Sequence, residues 1–417
     1  MLGNFIKSKI KINSIEIGQN SFYIGTLLLA TTNFIAGIFY LISLIISFKI
    51  EKNFLKKDIW NYLLILSSIA FILGSINVSI THNESSIYGL LKESSWNPAS
   101  TWLNLFNWLP LFIAFSGFQK YLRTEKQRMR FAQCLFLGLI PLLISIFLQR
   151  VGIYGPFRYL NGLIVFYLYP IEKLGGYAGL FNNPNYAGLW LSASLPFCFA
   201  LFKYYKYYKC KKLKLTLIIS IIFSIIYCII LTNSRNSIAG IIISSYLMIG
   251  AKLLIICSLV LISIYFLILA IKPISFLGTS FFEEFFSERF ITKIIKTNYF
   301  NRLEFSRIDI WQKAIKLISE RPLLGWGAAT FPVIYILRGG IEPAQHTHSM
   351  PLEIAQTYGI PIAFILILFV SCLFFKAGRT FFITNKYNKE SINKAWIISF
   401  FVIVINHLGD VTYYDGR

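Results

Sequence analysis

The 417-residue chain is 56% hydrophobic and only 14% charged, and its mean hydropathy is +0.62. Water-soluble domains are usually less apolar than this chain. Runs such as LTLIISIIFSIIYCIILT are also long enough to cross a bilayer. The formal net charge of +22 would suit a nucleic acid partner. However, the lysines and arginines gather in short segments between apolar runs, as they do in the cytoplasmic loops of membrane proteins. The composition therefore predicts an all-α, polytopic membrane protein that binds no nucleic acid.

Apolar runs of about 20 residues, taken in chain order, give the predicted membrane spans. The first run, 22–48, is either one helix or a tight hairpin that turns near Thr32–Asn33. We favour the hairpin, because it keeps the lysine-bearing start of the chain on the same side as the other basic segments. The run at 238–272 is too long for one crossing, and Ala251–Lys252 divide it into two short helices. The other spans are 61–82, 102–119, 131–149, 186–203, 214–231, 356–376 and 395–408, for a total of about 11–12 transmembrane helices.

The basic segments between these runs are predicted to lie in the cytoplasm. A solvated face that sets the orientation of the protein explains them, and a specific contact with anionic membrane lipid is the open alternative. The segments lie at 49–57, 120–130, 203–214 and 376–394.

One segment on the opposite, outer side of the membrane, 273–351, is far longer than the other connections, and such loops are uncommon without a function. Within it, SRIDIWQKAIKLISERPLLGWG places apolar residues at helical spacing and then a Pro/Gly stop, which predicts short helices on the outer membrane surface. The chain thus divides into a transmembrane bundle at 1–272, this helical loop, and C-terminal transmembrane helices at 352–417. The last span is short, so either the protein ends after GDVTYYDGR or a further helix is missing.

The six cysteines predict neither a disulfide nor a structural metal site. Five of them fall inside apolar runs, and Cys210 lies in a basic cytoplasmic segment, where no oxidising compartment can pair it. The sequence shows no spacing typical of metal ligands.

The outer segments hold the residues that are most capable of chemistry. Two of the four histidines, His346 and His348, stand one residue apart just before a predicted helix. Arginines are retained on this side although positive charge is normally scarce there, and guanidinium groups pair bidentately with phosphate. A neutral imidazole beside such cations can accept a proton, so the set predicts a clamp on a leaving diphosphate and a base for an incoming hydroxyl. The arginines are Arg150, Arg158, Arg235, Arg302, Arg307, Arg321 and Arg338.

Each of these residues also has a plainer interpretation. Arg235 could anchor a helix end at the membrane interface, and Arg307 could pair with Glu304 on a surface helix. The other outer arginines would serve as surface charges, and His346 as an ordinary exposed loop residue. In GLFNNPNYAG the asparagines could simply start a helix, or their amides could bond a sugar.

Four motifs occur in the order and spacing of those in the O-antigen ligase/polymerase family, whose members are bacterial membrane glycosyltransferases of the GT-C kind. The motifs are GLFNNPNYAG, TNSRNSIAG, SRIDIWQKA…RPLLGWGAATF and THSMPLEIAQTYGIP. The resemblance covers roughly residues 175–370. The elements RPLLGWG and HS…LE…YGI are especially similar to those of cyanobacterial members.

The resemblance implies a metal-independent transferase without a cofactor, in the bacterial inner membrane, with its site facing the periplasm. Arg235 matches the arginine of the family's Ser-Arg motif, and Arg307 matches the arginine before the Trp in the large periplasmic loop. His348 matches the histidine of the His-Asn/Ser motif, although Ser349 stands where Asn is frequent. These three are the implied catalytic residues. The candidates for substrate binding are Arg150, Arg302, Arg321, Arg338, His346, Asn182 and Asn185.

The same resemblance implies the partners. The implied donor is an undecaprenyl-diphosphate-linked glycan, held by the arginines, and the acceptor is a hydroxyl of lipid A core, of another glycan or of a protein. The lipid-linked donor would reach the site laterally from the membrane. The sequence does not choose between a ligase and a polymerase.

A membrane transporter of a small anion such as bicarbonate is the main alternative, because a helix bundle with a polar outer mouth could move such an anion. A transporter should carry ionisable groups or broken helices at membrane depth, often within inverted repeats. The sequence shows no internal repeat, and His407 is the one candidate for an intramembrane ionisable group. A non-catalytic scaffold is a third alternative, in which Arg235, Arg307 and His348 would be freely replaceable.

Overall fold

The computed structural model describes residues 2–50, 59–76, 98–159, 164–170, 175–250, 255, 297–340, 344–383 and 391–412, with side chains for all of these except 2–13, 98, 164, 297–306 and 380–383. In this part of the chain the secondary structure is helical apart from one short β-hairpin, which confirms the predicted all-α class. The α-helices are α1 (Leu2–Leu28), α2 (Asn33–Ile50), α3 (Trp60–Ile76), α4 (Pro98–Leu103), α5 (Leu109–Phe118), α6 (Glu125–Arg150), α7 (Pro184–Tyr207), α8 (Lys212–Leu231), α9 (Arg235–Ile249), α10 (Thr297–Glu320), α11 (Phe331–Leu337), α12 (Met350–Tyr358), α13 (Ile360–Ile383) and α14 (Ser391–Gly409).

Six helices in the described ranges are long and apolar enough to cross a membrane, namely α2, α6, α7, α8, α13 and α14. A continuous helix pairs its backbone N–H and C=O groups internally, which is the condition for crossing lipid. The structure thus confirms a polytopic membrane protein. The total of about 11–12 spans stays a prediction, because part of the chain lies outside the described ranges.

The N-terminal segment forms the helical hairpin that the sequence favours. α1 and α2 are separated by a turn at 29–32 and run antiparallel, since Gly18 near the middle of α1 lies against Ile46 near the end of α2. Close to the turn, the Tyr40 hydroxyl donates to Thr26 Oγ1 at 3.2 Å. The two helices therefore pack along their length and return the chain to its starting side.

The helices of the bundle alternate in direction between two ends. At the basic end, which carries the described lysines and arginines of the predicted cytoplasmic segments, Arg128 Nε donates to Asn393 Oδ1 at 2.8 Å and joins the starts of α6 and α14. The other end is called the histidine end, because the loop 344–349 lies there. At this end the Tyr186 hydroxyl donates to the Val411 carbonyl at 3.4 Å, joining the start of α7 to the segment that follows α14.

The central core is one hydrophobic cluster formed by α6, α7, α8 and α14. α9 packs against α7 and α14, and small residues allow the close approach. A Cβ built on Gly188 would lie 2.3 Å from Ser237 Oγ, so a larger residue would push α7 and α9 apart. This packing holds the start of α9 and the end of α14 at the histidine end. The helices of the core each contribute a side chain with no exposed surface: Leu139, Leu191, Ile225 and Val402.

The turn 322–327 connects α10 to the junction of α12 and α13. Backbone N–H groups of this turn donate to the carbonyls of Gln356 and Thr357 at 2.9 and 3.0 Å, which would otherwise be unpaired at the end of α12. In return, Ile360 N–H at the start of α13 donates to the Pro322 carbonyl at 2.8 Å. The turn therefore caps α12 and fixes its position on the first residue of a membrane-spanning helix.

Two predicted spans are interrupted in the structure. The prediction of one helix at 102–119 is wrong, because a 3-10 turn at Asn104–Asn107 separates α4 from α5. Pro110 in the first turn of α5 has no N–H with which to continue the preceding helix. The prediction of one helix at 356–376 is also wrong, because α12 ends at Gly359, whose φ of +90° is incompatible with a continuous helix.

Two other predictions meet the structure only in part. In the run 238–272, α9 ends at Ile249 and is followed by Gly250 with φ +96°, whereas the predicted break at Ala251–Lys252 and the second helix lie outside the described residues. The segment 273–351 contains α10 and α11, but the domain division stays a prediction. The sequence did not predict the β-hairpin in the segment after α6, where β1 (Phe157–Tyr159) pairs antiparallel with β2 (Ile164–Phe166).

We expect Gly359→Ala to lower the free energy of unfolding by roughly 2–4 kcal/mol. The residue has φ +90° and ψ 163°, a region essentially restricted to glycine, and a Cβ there would lie 2.2 Å from the Leu323 carbonyl oxygen. Thermal unfolding in detergent micelles should show a lower Tm. The matched control is Gly378→Ala within α13, where a Cβ meets no atom within 4 Å and Tm should hold or rise. Equal Tm values for Gly359→Ala and the wild type would contradict the proposed role of the cap.

Candidate active site

The histidine loop, residues 344–349, is held in place through the fully buried Thr347. The Thr347 N–H donates to Glu353 Oε2 at 2.9 Å, and the Thr347 carbonyl accepts from Trp311 Nε1 at 3.0 Å. The Thr347 hydroxyl donates to the Ser349 carbonyl at 2.9 Å. These bonds tie the residue between the two histidines to both α10 and α12, so the loop presents its imidazoles from a fixed backbone.

The two imidazoles of this loop contact each other. Their ring centroids are 4.3 Å apart, with an interplanar angle of 69°. His348 has φ +52°, which is uncommon for a residue other than glycine, and its N–H donates to His346 Nδ1 at 3.2 Å. Because His346 Nδ1 accepts a hydrogen bond, the proton of the neutral His346 ring must be on Nε2. His346 therefore offers an Nε2–H donor on the side away from the loop backbone.

The surroundings of His346 favour its neutral form. Burial lowers the pKa of this imidazole most, and the neighbouring His348 lowers it further. Asp410 opposes the shift and Arg307 adds to it, and the resulting pKa is about 4. At neutral pH His346 is consequently uncharged.

Asp410, directly after α14, is the acidic partner of this site. Its Oδ1 lies 3.4 Å from His348 Nδ1 and accepts the Val411 N–H at 2.8 Å. Burial alone would raise the pKa of this carboxyl, but the His348 imidazole and the Val411 N–H stabilise the anion and bring the pKa below its usual range. A carboxylate can only accept, so His348 Nδ1 carries the proton and His348 Nε2 keeps a lone pair.

Arg307 supplies a positive charge beside the pair. It stands four residues before Trp311 on α10, so both side chains lie on one face of that helix, the face whose indole holds the histidine loop. Its guanidinium is half-buried and close enough to His346 to contribute to the low pKa of that imidazole. The structure thus brings Arg307, His346 and His348 together, as the sequence predicted, and adds Asp410.

Arg235 is the first residue of α9 and is exposed at the histidine end. The end of α14 contacts this helix start, because a Cβ built on Gly409 would lie 3.3 Å from Asn236 Nδ2. Arg235 directly precedes Asn236, and Asp410 directly follows Gly409. The two residues therefore flank the contact between these helix ends. The N-terminus of α9 adds a partial positive charge at this place through the helix dipole.

The other predicted substrate-binding residues lie at different places. Arg150, at the end of α6, donates to the Tyr177 hydroxyl at 3.5 Å. Arg321 and Arg338 both lie near Trp326, with guanidinium carbons 4.5 and 5.7 Å from its ring centroid, and Arg338 also pairs with Glu320 at 3.2 Å. They lie beside the turn that caps the far end of α12.

The asparagine motif has a structural role at the start of α7. Asn183 is the N-cap, and its Oδ1 accepts the Asn185 N–H at 2.8 Å. Asn182 is exposed and Asn185 is half-buried, so both face the histidine end of the bundle from this helix start. Arg302 lies on α10, but its side chain falls outside the described ones.

The arrangement can support proton transfer, and its donor atoms could also surround a cation. One ligand atom from each of His346, His348 and Asp410 lies within 4.8 Å of the other two. The positive charge of Arg307 opposes a cation at this position, and it favours an anion such as a phosphate group. The geometry therefore suits a carboxylate-oriented histidine base beside a bound anion, and metal independence stays a prediction.

Sequence reasoning missed Asp410 and the residues that fix the histidine loop. Asp410 belongs to the stretch GDVTYYDGR. The one feature of the sequence that could have indicated a functional role is that this acidic residue directly follows an apolar span. Thr347 and Trp311 act through backbone and indole hydrogen bonds, which no sequence pattern specifies. Glu353 is buried and accepts the Thr347 N–H.

Comparison with known protein families identifies this region. The family model described as O-Antigen ligase matches residues 219–368, a range that includes Arg235, Arg307, His346 and His348. No curated protein matches the chain. The match confirms the resemblance for the three motifs that lie inside this range. It does not test GLFNNPNYAG, which precedes the range, or the likeness to cyanobacterial members. Residues 219–368, which hold the histidine loop, Arg235 and Arg307, are therefore similar to the O-antigen ligase family.

Proposed function

We propose that this protein is a glycosyltransferase that moves a glycan from an undecaprenyl-diphosphate-linked donor to an acceptor hydroxyl. The observation that carries the proposal is the His348–Asp410 contact at 3.4 Å, beside His346 and Arg307, at the end of the bundle opposite the basic segments. The proposed location is the bacterial inner membrane, with the site facing the periplasm. The proposed acceptor is lipid A core, another glycan or a protein.

His348 acts as the general base in this proposal. With Nδ1–H directed to Asp410, its Nε2 lone pair accepts the proton of the acceptor hydroxyl as the oxygen attacks the anomeric carbon. Asp410 orients the imidazole and stabilises the imidazolium that forms. The new bond joins the acceptor oxygen to the anomeric carbon, and the bond from that carbon to the diphosphate oxygen breaks with inversion.

The leaving diphosphate is stabilised by positive charge that is already in place. Arg307 and Arg235 would hold its oxygens as bidentate donors. The partial positive charge at the N-terminus of α9 would also attract these oxygens. Fixed cations of this kind replace the metal ion that many soluble transferases use. In this proposal the Nε2–H of His346 donates to a hydroxyl or phosphate oxygen of the bound substrates.

The function is tested directly with purified protein in proteoliposomes that contain a lipid-diphosphate-linked glycan and a candidate acceptor. Release of the lipid diphosphate together with a glycosylated acceptor supports the proposal. Uptake of labelled bicarbonate by the same proteoliposomes, without transfer, would assign the protein to the transporter class instead.

We expect His348→Ala to reduce the transfer rate by about 10²–10⁴-fold, because positioned base catalysis contributes this much. Asp410→Asn should also reduce kcat by at least about tenfold, since an amide can donate to Nδ1 and stabilise the wrong tautomer. Its effect on the KM for the donor should be small. Asp309→Asn is the matched control, because Asp309 on α10 pairs with Lys313 of the same helix and accepts from the Tyr335 hydroxyl of α11. A normal rate in Asp410→Asn would remove the carboxylate from the mechanism.

Arg235→Lys and Arg307→Lys should each reduce transfer by about 10-fold or more, because a point charge does not reproduce a bidentate fork on phosphate. Weaker binding of the lipid-diphosphate donor should accompany the loss. Arg130→Lys at the basic end is the control, since a lysine keeps the cation beside the Tyr23 ring there. If both outer variants transfer at the wild-type rate, the arginines do not hold the diphosphate.

Acidification should destabilise the histidine end. The folded-state pKa of His346 is about 4, below the 6.5 of a free histidine, so the unfolded chain takes up this proton first. The protonation of His346 therefore leaves the free energy of unfolding unchanged above about pH 6.5 and lowers it by roughly 3 kcal/mol as the pH falls to 4. In His346→Asn, Oδ1 can still accept the His348 N–H without titrating, so Tm measured between pH 7 and 4.5 should fall less than in the wild type. Parallel Tm curves for the two proteins would contradict this assignment.

A further inference from the structure

A set of exposed apolar side chains lies outside the candidate site. In the turn 322–327, Leu323 and Leu324 are 70% and 59% exposed. On α10, Ile308 and Ile315 are also exposed, and they lie on one face of the helix together with the exposed polar residues Gln312 and Ser319. The two leucines and two isoleucines together are called the apolar face. Large exposed apolar side chains in such a group mark a contact surface rather than an ordinary water-facing one.

Backbone contacts fix the height of this face relative to the bundle. Ile360 N–H donates to the Pro322 carbonyl at 2.8 Å, and Gly359 lies directly against the Leu323 carbonyl. Ile360 is the first residue of α13, a helix that is long and apolar enough to cross a membrane and is mostly not buried within the protein. The two leucines therefore lie at the level where a lipid-facing helix begins. Exposed apolar side chains continue down α13 at Phe364, Ile367 and Leu368.

The neighbouring side chains have the distribution of a helix at a lipid–water boundary. On α10, Lys316 and Glu320 are exposed on a face of their own, one turn apart. Arg321 directly precedes the turn and places its guanidinium 4.5 Å from the Trp326 ring centroid. A helix with an apolar face, a charged face and a cation at the end of the apolar stripe is typical of segments that lie in a membrane interface.

We infer that the apolar face is embedded in the membrane leaflet at the histidine end, with Leu323 and Leu324 inserted among the lipid chains next to the start of α13. The occupant is lipid rather than a second copy of the protein, because the face is continuous with the lipid-facing surface of a membrane-spanning helix. The inference does not depend on the proposed reaction. Its structural consequence is that α12, which the same turn caps, is held at a fixed height above the membrane together with the histidine loop.

The test is a spin label on Leu324→Cys in the full chain, reconstituted in phospholipid vesicles. Cys134, Cys210, Cys257 and Cys372 are first replaced by serine, and the buried Cys198 and Cys228 are kept. Power saturation then compares how strongly the label collides with oxygen, which concentrates in lipid, and with a nickel complex, which stays in water. Leu323→Cys is a second reporter, and Lys316→Cys on the charged face of α10 is the matched control.

The labels at Leu324 and Leu323 should collide severalfold more with oxygen than with nickel, and the label at Lys316 should show the reverse preference. If the labels at both leucines are as accessible to nickel as the label at Lys316, the apolar face lies in water and the inference is overturned. Protection of both leucine labels from oxygen and nickel alike would also overturn it, because a protein partner would then cover the face. The interpretation of these collision rates depends neither on vesicle binding nor on transfer activity.

Discussion

The candidate site depends on one contact between distant parts of the chain, in which Asp410 Oδ1 lies 3.4 Å from His348 Nδ1. The two residues are separated by 62 positions, and each is placed by a different part of the bundle. Packing of α14 against α7 and α9 brings Asp410 to the histidine end, whereas hydrogen bonds to α10 and α12 hold the loop that carries His348. Because the carboxylate selects the Nδ1–H tautomer, the proton chemistry of the site follows from how these helices pack.

The same packing explains how much of the site the sequence could predict. The sequence could predict Arg235, Arg307, His346 and His348, because they stand in predicted outer segments, where positive charge is normally scarce. The grouping of Arg307 with both histidines is found in the structure. Asp410 was missed because its partner is set by tertiary packing at the end of α14, and no local pattern encodes that distance.

The membrane helices could be predicted from the sequence, whereas two breaks between helices could not. Long apolar runs with basic segments between them predicted the membrane helices, because the bilayer imposes both length and hydropathy. The breaks at Asn104–Asn107 and at Gly359 were missed, since hydropathy does not change at either place. At Gly359 the break is fixed by the turn 322–327, which takes the last carbonyls of α12 and receives the first N–H of α13.

The turn 322–327 also links the histidine loop to the predicted membrane surface. It caps α12 behind the histidine loop, places two exposed leucines at the start of α13, and follows the helix that carries Arg307 and Trp311. A lipid-linked donor has its diphosphate at the membrane surface and its chain in the bilayer. A site held at a fixed height by such a turn would meet that diphosphate without leaving the membrane boundary.

The most direct measurement of the central claim is a double-mutant cycle on transfer kinetics with His348→Ala, Asp410→Asn and the combined variant. If the Asp410 carboxylate acts through the His348 imidazole, the combined variant should be no slower than His348→Ala alone. Once the imidazole is absent, Asp410 has no base to orient, so its replacement costs no further rate. Losses that multiply in the combined variant would contradict the account, since Asp410 would then act independently of His348.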